Sequence, residues 1–175
     1  MINRYFSSSK QILHAVSGSK QVTRSTKVRL VRALVWSVVT YGSEGWIIHK
    51  AEEKQIEAFE MWCYRRVLRV SWIDHRTNEW VLSRLEVEKS LLARIRTLKL
   101  SYYGHIMRKA NCLEKDIIQG CVPGSRGRGR PRRRWKEDIS DWTGLRINDA
   151  ARSAEDRESW RSVIRAANPS TGGRQ

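Results

Sequence analysis

The 175-residue chain is predicted to be all-α. Two observations carry that expectation. Apolar residues recur at three- and four-residue steps in segment after segment, and no run alternates with period two or flanks an Asn-Gly or Asp-Gly turn. Forty per cent apolar composition suffices for one domain, or one domain with a small appendage. The chain has eight tryptophans, of which Trp36, Trp62 and Trp160 fall in apolar helical phase and are expected as core anchors.

The first helix is expected over 25–39, where Val28, Val31, Val35 and Val38 share a face and Thr23 or Ser25 can cap. Tyr41-Gly42-Ser43 stops it. A stronger pattern covers 51–70, with Ile56, Phe59, Cys63, Val67 and Val70 inward and Lys54, Arg65, Arg66 and Arg69 outward. Thr77-Asn78-Glu79 opens a shorter helix through Trp80, Val81, Leu82 and Leu85, its acidic first turn favoured by the backbone dipole. The central helix is expected over 88–108: Leu91, Ile95, Leu98, Tyr102 and Ile106 form its stripe, with Arg94, Arg96, Lys99 and Arg108 around it. A short segment at 113–119 and a small helix at 135–142 follow. A last helix opens at a capping box, Ser153 with Asp156, and buries Trp160, Val163 and Ile164. The expected division is a helical segment at 1–45, a helical domain at 46–111, a basic linker at 112–134, C-terminal helices at 135–167 and a disordered tail at 168–175.

Charge is the second theme. Thirty-four basic against 18 acidic residues leave +16, a field that speeds encounters with polyanions. It is concentrated in residues 124–134, where Arg126, Arg128, Arg130, Arg132, Arg133 and Arg134 stand without an acid. Such a segment cannot bury enough apolar surface to fold alone and is expected to meet phosphate. Lys136 extends it, and Arg65, Arg66, Arg69, Arg94 and Lys99 are secondary binding candidates. Arg128-Gly129-Arg130-Pro131 also has the composition of a minor-groove insert: glycine permits close approach and arginine enters the negative potential of narrow A·T tracts. An AT-hook-like insert, a nuclear-import signal at 130–136 and a solvated linker are the alternatives for this run. The expected partner is nucleic acid, RNA or DNA. No stretch is long enough to span a membrane and none reads as a signal peptide, so an intracellular, nuclear location is expected.

Catalytic chemistry is not evident. Phosphodiester polymerases and nucleases bring carboxylates together on divalent metals, and the chain has no Tyr-x-Asp-Asp turn, Walker loop or restriction-type motif. Glu137, Asp138 and Asp141 read as a solvated helix face. His75 and His105 lack a carboxylate orienter and read as structural. Cys63, Cys112 and Cys121 form no paired framework, and a zinc site from His105, Cys112 and Cys121 is short of a ligand. Neither a catalytic residue, a metal nor a cofactor is expected.

Nine blocks, in order, resemble one family: Thr26-Lys27-Val28-Arg29-Leu30, Leu34-Val35-Trp36, Tyr41-Gly42-Ser43-Glu44-Gly45-Trp46, Lys50-Ala51-Glu52-Glu53, Glu57-Ala58-Phe59-Glu60-Met61-Trp62-Cys63, Leu100-Ser101-Tyr102-Tyr103-Gly104-His105, Leu113-Glu114-Lys115-Asp116, the run 126–132, and Asp156-Arg157-Glu158-Ser159-Trp160-Arg161. Together they resemble the C-terminal region of the endonuclease/reverse transcriptase polyprotein of non-LTR retrotransposons of the RTE and BovB-like kind. The resemblance implies that residues up to Val39 look like the end of the polymerase thumb and the rest like the C-terminal extension. The endonuclease and polymerase palm would lie upstream, so no catalytic residue carries over. The family often has cysteine in the block where this chain has Ser43, and a further difference is Gly45. Three readings follow: a nucleic-acid-binding module of an RNA-directed DNA polymerase, a free-standing DNA-tethering adaptor, and a relic whose Val35, Trp36 and Val39 would be an exposed apolar patch.

Overall fold

A computed structural model describes residues 2–18, 21–110, 112–120, 129 and 132–168, and among these every regular element is helical. The chain forms two compact units: Met1–Ser43 with His49–Arg94, and Glu44–Ile48 with Ile95–Gln175.

The first unit opens with α1 (Ile2–Gly18), which the sequence pattern does not announce. Among its described side chains the buried ones are Phe6, Ser9, Leu13, Val16 and Ser17, so the spacing is helical but Ser9 and Ser17 are polar. The expected 25–39 helix is present with an interruption: α2 (Arg24–Leu30), a π-helical turn at Val31–Val35 and α3 (Trp36–Val39). Thr23 caps it by accepting from Thr26 N. In the wide turn Trp36 N donates to Val31 O, five residues back. The extra residue shifts the stripe, so Val39 is fully buried where Val38 was expected to complete the face. Val35 is also 0% and Trp36 1% exposed, so the apolar patch required by the relic reading is absent.

Helix α4 (Lys50–Leu68) starts where His49 N donates to Glu52 Oε2 at 2.9 Å and ends at Arg69 in the left-handed region, φ 57°. It buries Ile56, Phe59, Cys63 and Val67 as expected, and Phe59 stacks on Phe6 with ring centroids 4.1 Å apart. Trp62 departs from the expectation. It lies on the flank beside Phe59, is 37% exposed and carries Lys10 over its ring. Burial pushes the Cys63 thiol far up, with Glu60 adding to it, so this cysteine is an unreactive packing group. Helix α5 (Asn78–Leu85) is capped by Thr77, which accepts from Trp80 N.

The central helix, α6 (Leu91–Met107), begins on a buried acid. Glu60 Oε1 accepts from Ser90 N at 2.8 Å and Oε2 from Leu91 N at 3.1 Å, while Tyr64 OH donates to Oε1. A carboxylate there satisfies amides that the first turn leaves unpaired and meets the positive end of the helix dipole. Burial nevertheless raises the Glu60 pKa above its ordinary value, against the lowering effect of those hydrogen bonds.

The core of the second unit gathers Leu100, Tyr103, Ile106 and Met107 of α6 with Ile139, Ala150, Ala154 and Trp160. Tyr103, not the expected Tyr102, faces inward, and Tyr102 is 39% exposed. Gly104 carries no side chain because the Trp160 indole occupies the place a Cβ would take. Trp160 Nε1 donates to Leu100 O at 2.8 Å, fixing that contact. Short helices α7 (Leu113–Gln119) and α8 (Glu137–Thr143) are followed by α9 (Ile147–Glu155) and α10 (Arg157–Ala167). The expected capping box is corrected here. Ser153 lies inside α9, and Asp156 is itself the N-cap of α10, accepting from Glu158 N and Ser159 N.

Candidate nucleic-acid interface

Arg126, Arg128 and Arg130 lie outside the described residues. The C-terminal end of the basic run is described, and it is anchored. Trp135 Nε1 donates to Glu44 O at 2.7 Å, and Lys136 Nζ to Gln119 O at 3.3 Å. Arg133 turns inward: its Nε donates to Asp138 Oδ1 at 2.9 Å and its Nη2 to Asp141 Oδ2 at 2.6 Å. Arg132 and Arg134, on either side, are exposed, and no described carboxylate pairs with them.

Asp138 is the centre of the anchor. The sequence placed it on a solvated face, yet its side chain is 0% exposed. Besides Arg133 it accepts from the Lys99 ammonium and from Ile48 N at 3.0 Å. Lys99 also donates to Trp46 O at 2.6 Å and lies over the rings of Trp135 and Trp142. Thus Lys99, Asp138 and Trp135 hold the strap Glu44–Ile48, in which Trp46 and Ile48 are buried. Two cations, Lys99 and Arg133, face two carboxylates, Asp138 and Asp141, so the cluster is neutral.

Two binding candidates are corrected by this geometry. Lys99, expected as a surface cation, is fully buried and bonded to Trp46 O and Asp138, and burial lowers its pKa despite the Asp138 carboxylate. Arg133, chosen as a phosphate contact, is a structural ion pair whose charge is already matched. Arg94 is exposed on the first turn of α6, as a binding residue needs.

In the first unit Arg65, Arg66 and Arg69 line a depression of about 390 Å³ with His14, Ser17, Gly18, Val70 and Ser71. Arg69 Nη2 donates to the carbonyls of Ser17 at 3.1 Å and Gly18 at 3.0 Å, closing the C-terminus of α1. Arg65 donates to Asn78 Oδ1 at 3.0 Å and Arg76 O at 2.7 Å. Their partners are neutral, so both guanidinium groups keep their charge unmatched, and exposed Arg66 adds a third. The trio therefore forms one positive patch, but only Arg66 is without a structural task there.

A groove that sequence reasoning missed lies in the second unit beside the anchored end of the run. Tyr102, Ile117, Ile118, Arg134, Trp135 and Lys136 line it, with Glu114 and Gly120. The signal was the Tyr102-Tyr103 pair: one helix face cannot bury both.

Among the described residues no group of three or more histidines, cysteines or acids is placed to hold a metal ion, and no helix is long and apolar enough to cross a membrane. No family model matches the chain, and no solved structure matches it. The chain is similar to an uncharacterized transposon-derived protein of Caenorhabditis elegans, 26% identical over 167 residues. That similarity covers 86% of this chain and 60% of the relative, and it supports a transposon origin for the sequence.

Proposed function

We propose that the chain is a nucleic-acid-binding module derived from a retrotransposon, corresponding to the C-terminal region of a non-LTR reverse transcriptase of the RTE and BovB-like kind. In this reading it binds template RNA or target DNA and carries out no chemical step itself. The polymerase and endonuclease domains of such a polyprotein would supply catalysis. The observation that carries the reading is the anchored basic run: Asp138 and Asp141 are consumed by Lys99 and Arg133, which leaves Arg132 and Arg134 unmatched at the root of a segment with three more arginines. The same basic segment is proposed to direct the chain to the nucleus.

The test replaces Arg126, Arg128, Arg130, Arg132 and Arg134 together by alanine and spares Arg133. Five phosphate contacts give a slope of log affinity on log salt of about −4.5 for duplex DNA and about −3.5 for a single strand. The variant is expected to flatten that slope and lose most affinity while far-ultraviolet circular dichroism stays unchanged. Unchanged affinity would refute the reading. Metal-dependent primer extension by the purified chain is expected to be absent.

A second reading, a free-standing adaptor that tethers DNA, is favoured by one observation. Gly129, inside Arg128-Gly129-Arg130-Pro131, stands at φ 115°, where side chains other than glycine rarely go. Preference for an A·T-rich over a G·C-rich duplex would support insertion of this run into a minor groove, and such binding by the isolated chain is what the adaptor needs.

A further inference from the structure

We propose that the groove between α7 and residues 134–136 holds an unstacked base of a single-stranded nucleic acid, with the adjoining phosphate on Arg134 and Lys136. This rests on the nucleic-acid reading above and names the ligand form that reading leaves open. The cavity measures about 620 Å³, within the range of small-ligand pockets. Two aromatic walls meet in it. The rings of Tyr102 and Trp135 stand 6.3 Å apart at 81°, so a base stacked on Tyr102 turns its edge toward Trp135. Trp135 is held rigid by its bond to Glu44 O and by the Lys99 ammonium 4.6 Å from its ring centroid, while Tyr102 keeps 39% of its surface exposed. The platform is therefore formed before a ligand arrives.

Polar groups give the groove a direction. Lys136 is bonded at the C-terminal end of α7, through Gln119 O, whereas Glu114 lies in the first turn of the same helix. Five residues of helix separate them, about 7.5 Å along the axis. A phosphate is attracted to the Lys136 end and repelled from the Glu114 end, where a carboxylate instead accepts from an exocyclic amine of a base. Ile117, 57% exposed, and Ile118 supply apolar surface between. A paired duplex cannot use this corner, because its bases are already stacked. The cationic rim of Arg134 and Lys136 selects a polyanion over an apolar peptide.

The test measures fluorescence anisotropy of the full chain with a labelled single-stranded RNA, the same sequence as single-stranded DNA, its duplex, and a strand of equal phosphate number carrying abasic sites. Wild-type protein is expected to bind base-bearing single strands about 5- to 150-fold more tightly than the abasic strand, the worth of one stacked base. Tyr102→Ala is expected to remove that preference and leave duplex affinity and salt slope unchanged; Tyr102→Phe, which keeps the ring, is expected to retain it. The RNA and DNA arms identify which strand supplies the base. If abasic and base-bearing strands bind equally while the five-arginine variant still loses affinity, the groove proposal fails and the nucleic-acid reading stands, the groove then belonging to another occupant such as a protein segment. If wild type binds no nucleic acid, both fail.

Discussion

Replacing Gly104 with alanine opposes two effects of known sign. In an ordinary helix interior alanine is more favourable than glycine by about 1 kcal/mol. At Gly104 the new Cβ would lie within 3.0 Å of two atoms of the Trp160 indole, closer than real Cβ contacts come. Trp160 is 2% exposed and tied to Leu100 O, so the ring has little freedom to retreat. Overpacking costs about 1 to 3 kcal/mol. Losing the buried indole hydrogen bond costs about 1 to 3 kcal/mol more. After the helix gain of about 1 kcal/mol is subtracted, the net is a destabilisation of about 1 to 5 kcal/mol. At about 2 to 4 °C per kcal/mol for a chain of this size, a mid-range loss near 3 kcal/mol lowers the melting temperature by roughly 6 to 12 °C. Thermal and urea unfolding followed by far-ultraviolet circular dichroism reads this directly. A Gly104→Ala variant as stable as wild type, or more so, would refute the packing of Trp160 on α6. A Gly104→Ala, Trp160→Leu double variant is expected to recover part of the loss relative to Trp160→Leu alone.

Asp138→Ala leaves the Lys99 ammonium buried without its carboxylate and is expected to cost about 3 to 5 kcal/mol by urea titration; Lys99→Met beside Asp138→Leu should recover much of it. Ser43 has a fully buried hydroxyl with no hydrogen-bond partner, at the position where the family it resembles often has cysteine. Ser43→Cys is therefore expected to stabilise by about 1 to 3 kcal/mol, and a loss of stability would contradict the orphaned hydroxyl. Because the folded-state pKa of Glu60 lies above 4.5, the folded chain binds that proton more tightly than the unfolded chain. The stability it contributes is complete below 4.5 and declines as pH rises through the raised value. The advantage of wild type over Glu60→Gln should accordingly grow as pH falls from neutrality; shrinkage would show that the hydrogen bonds outweigh burial.

The helical class and most of α4, α5 and α6 were legible because their inward residues are apolar and evenly spaced. Helix α1 was hidden by Ser9 and Ser17, which are buried but polar. The π turn changed which valine completes the 25–39 face, an event that depends on backbone hydrogen bonding and leaves no residue signature. At 153–156 two capping residues stood close together, and only packing decided that Asp156 opens a helix while Ser153 continues one. For the interface, the sequence showed where charge is dense and could not show which charges are spent. Lys99 and Asp138 are 39 residues apart, and only the fold brings them together. The same limit hid the groove, whose aromatic corner joins Tyr102 to Trp135.

Binding by the basic run is the property on which the proposed function depends. The most direct measurement is anisotropy of the full chain on A·T-rich duplex, G·C-rich duplex and single-stranded RNA across about 50 to 200 mM salt, beside the five-arginine variant. Wild type is expected to bind with a duplex slope near −4.5, and the variant with a much flatter slope and greatly reduced affinity. Equal affinity and equal slope for the two proteins would show that the basic run is not the binding element.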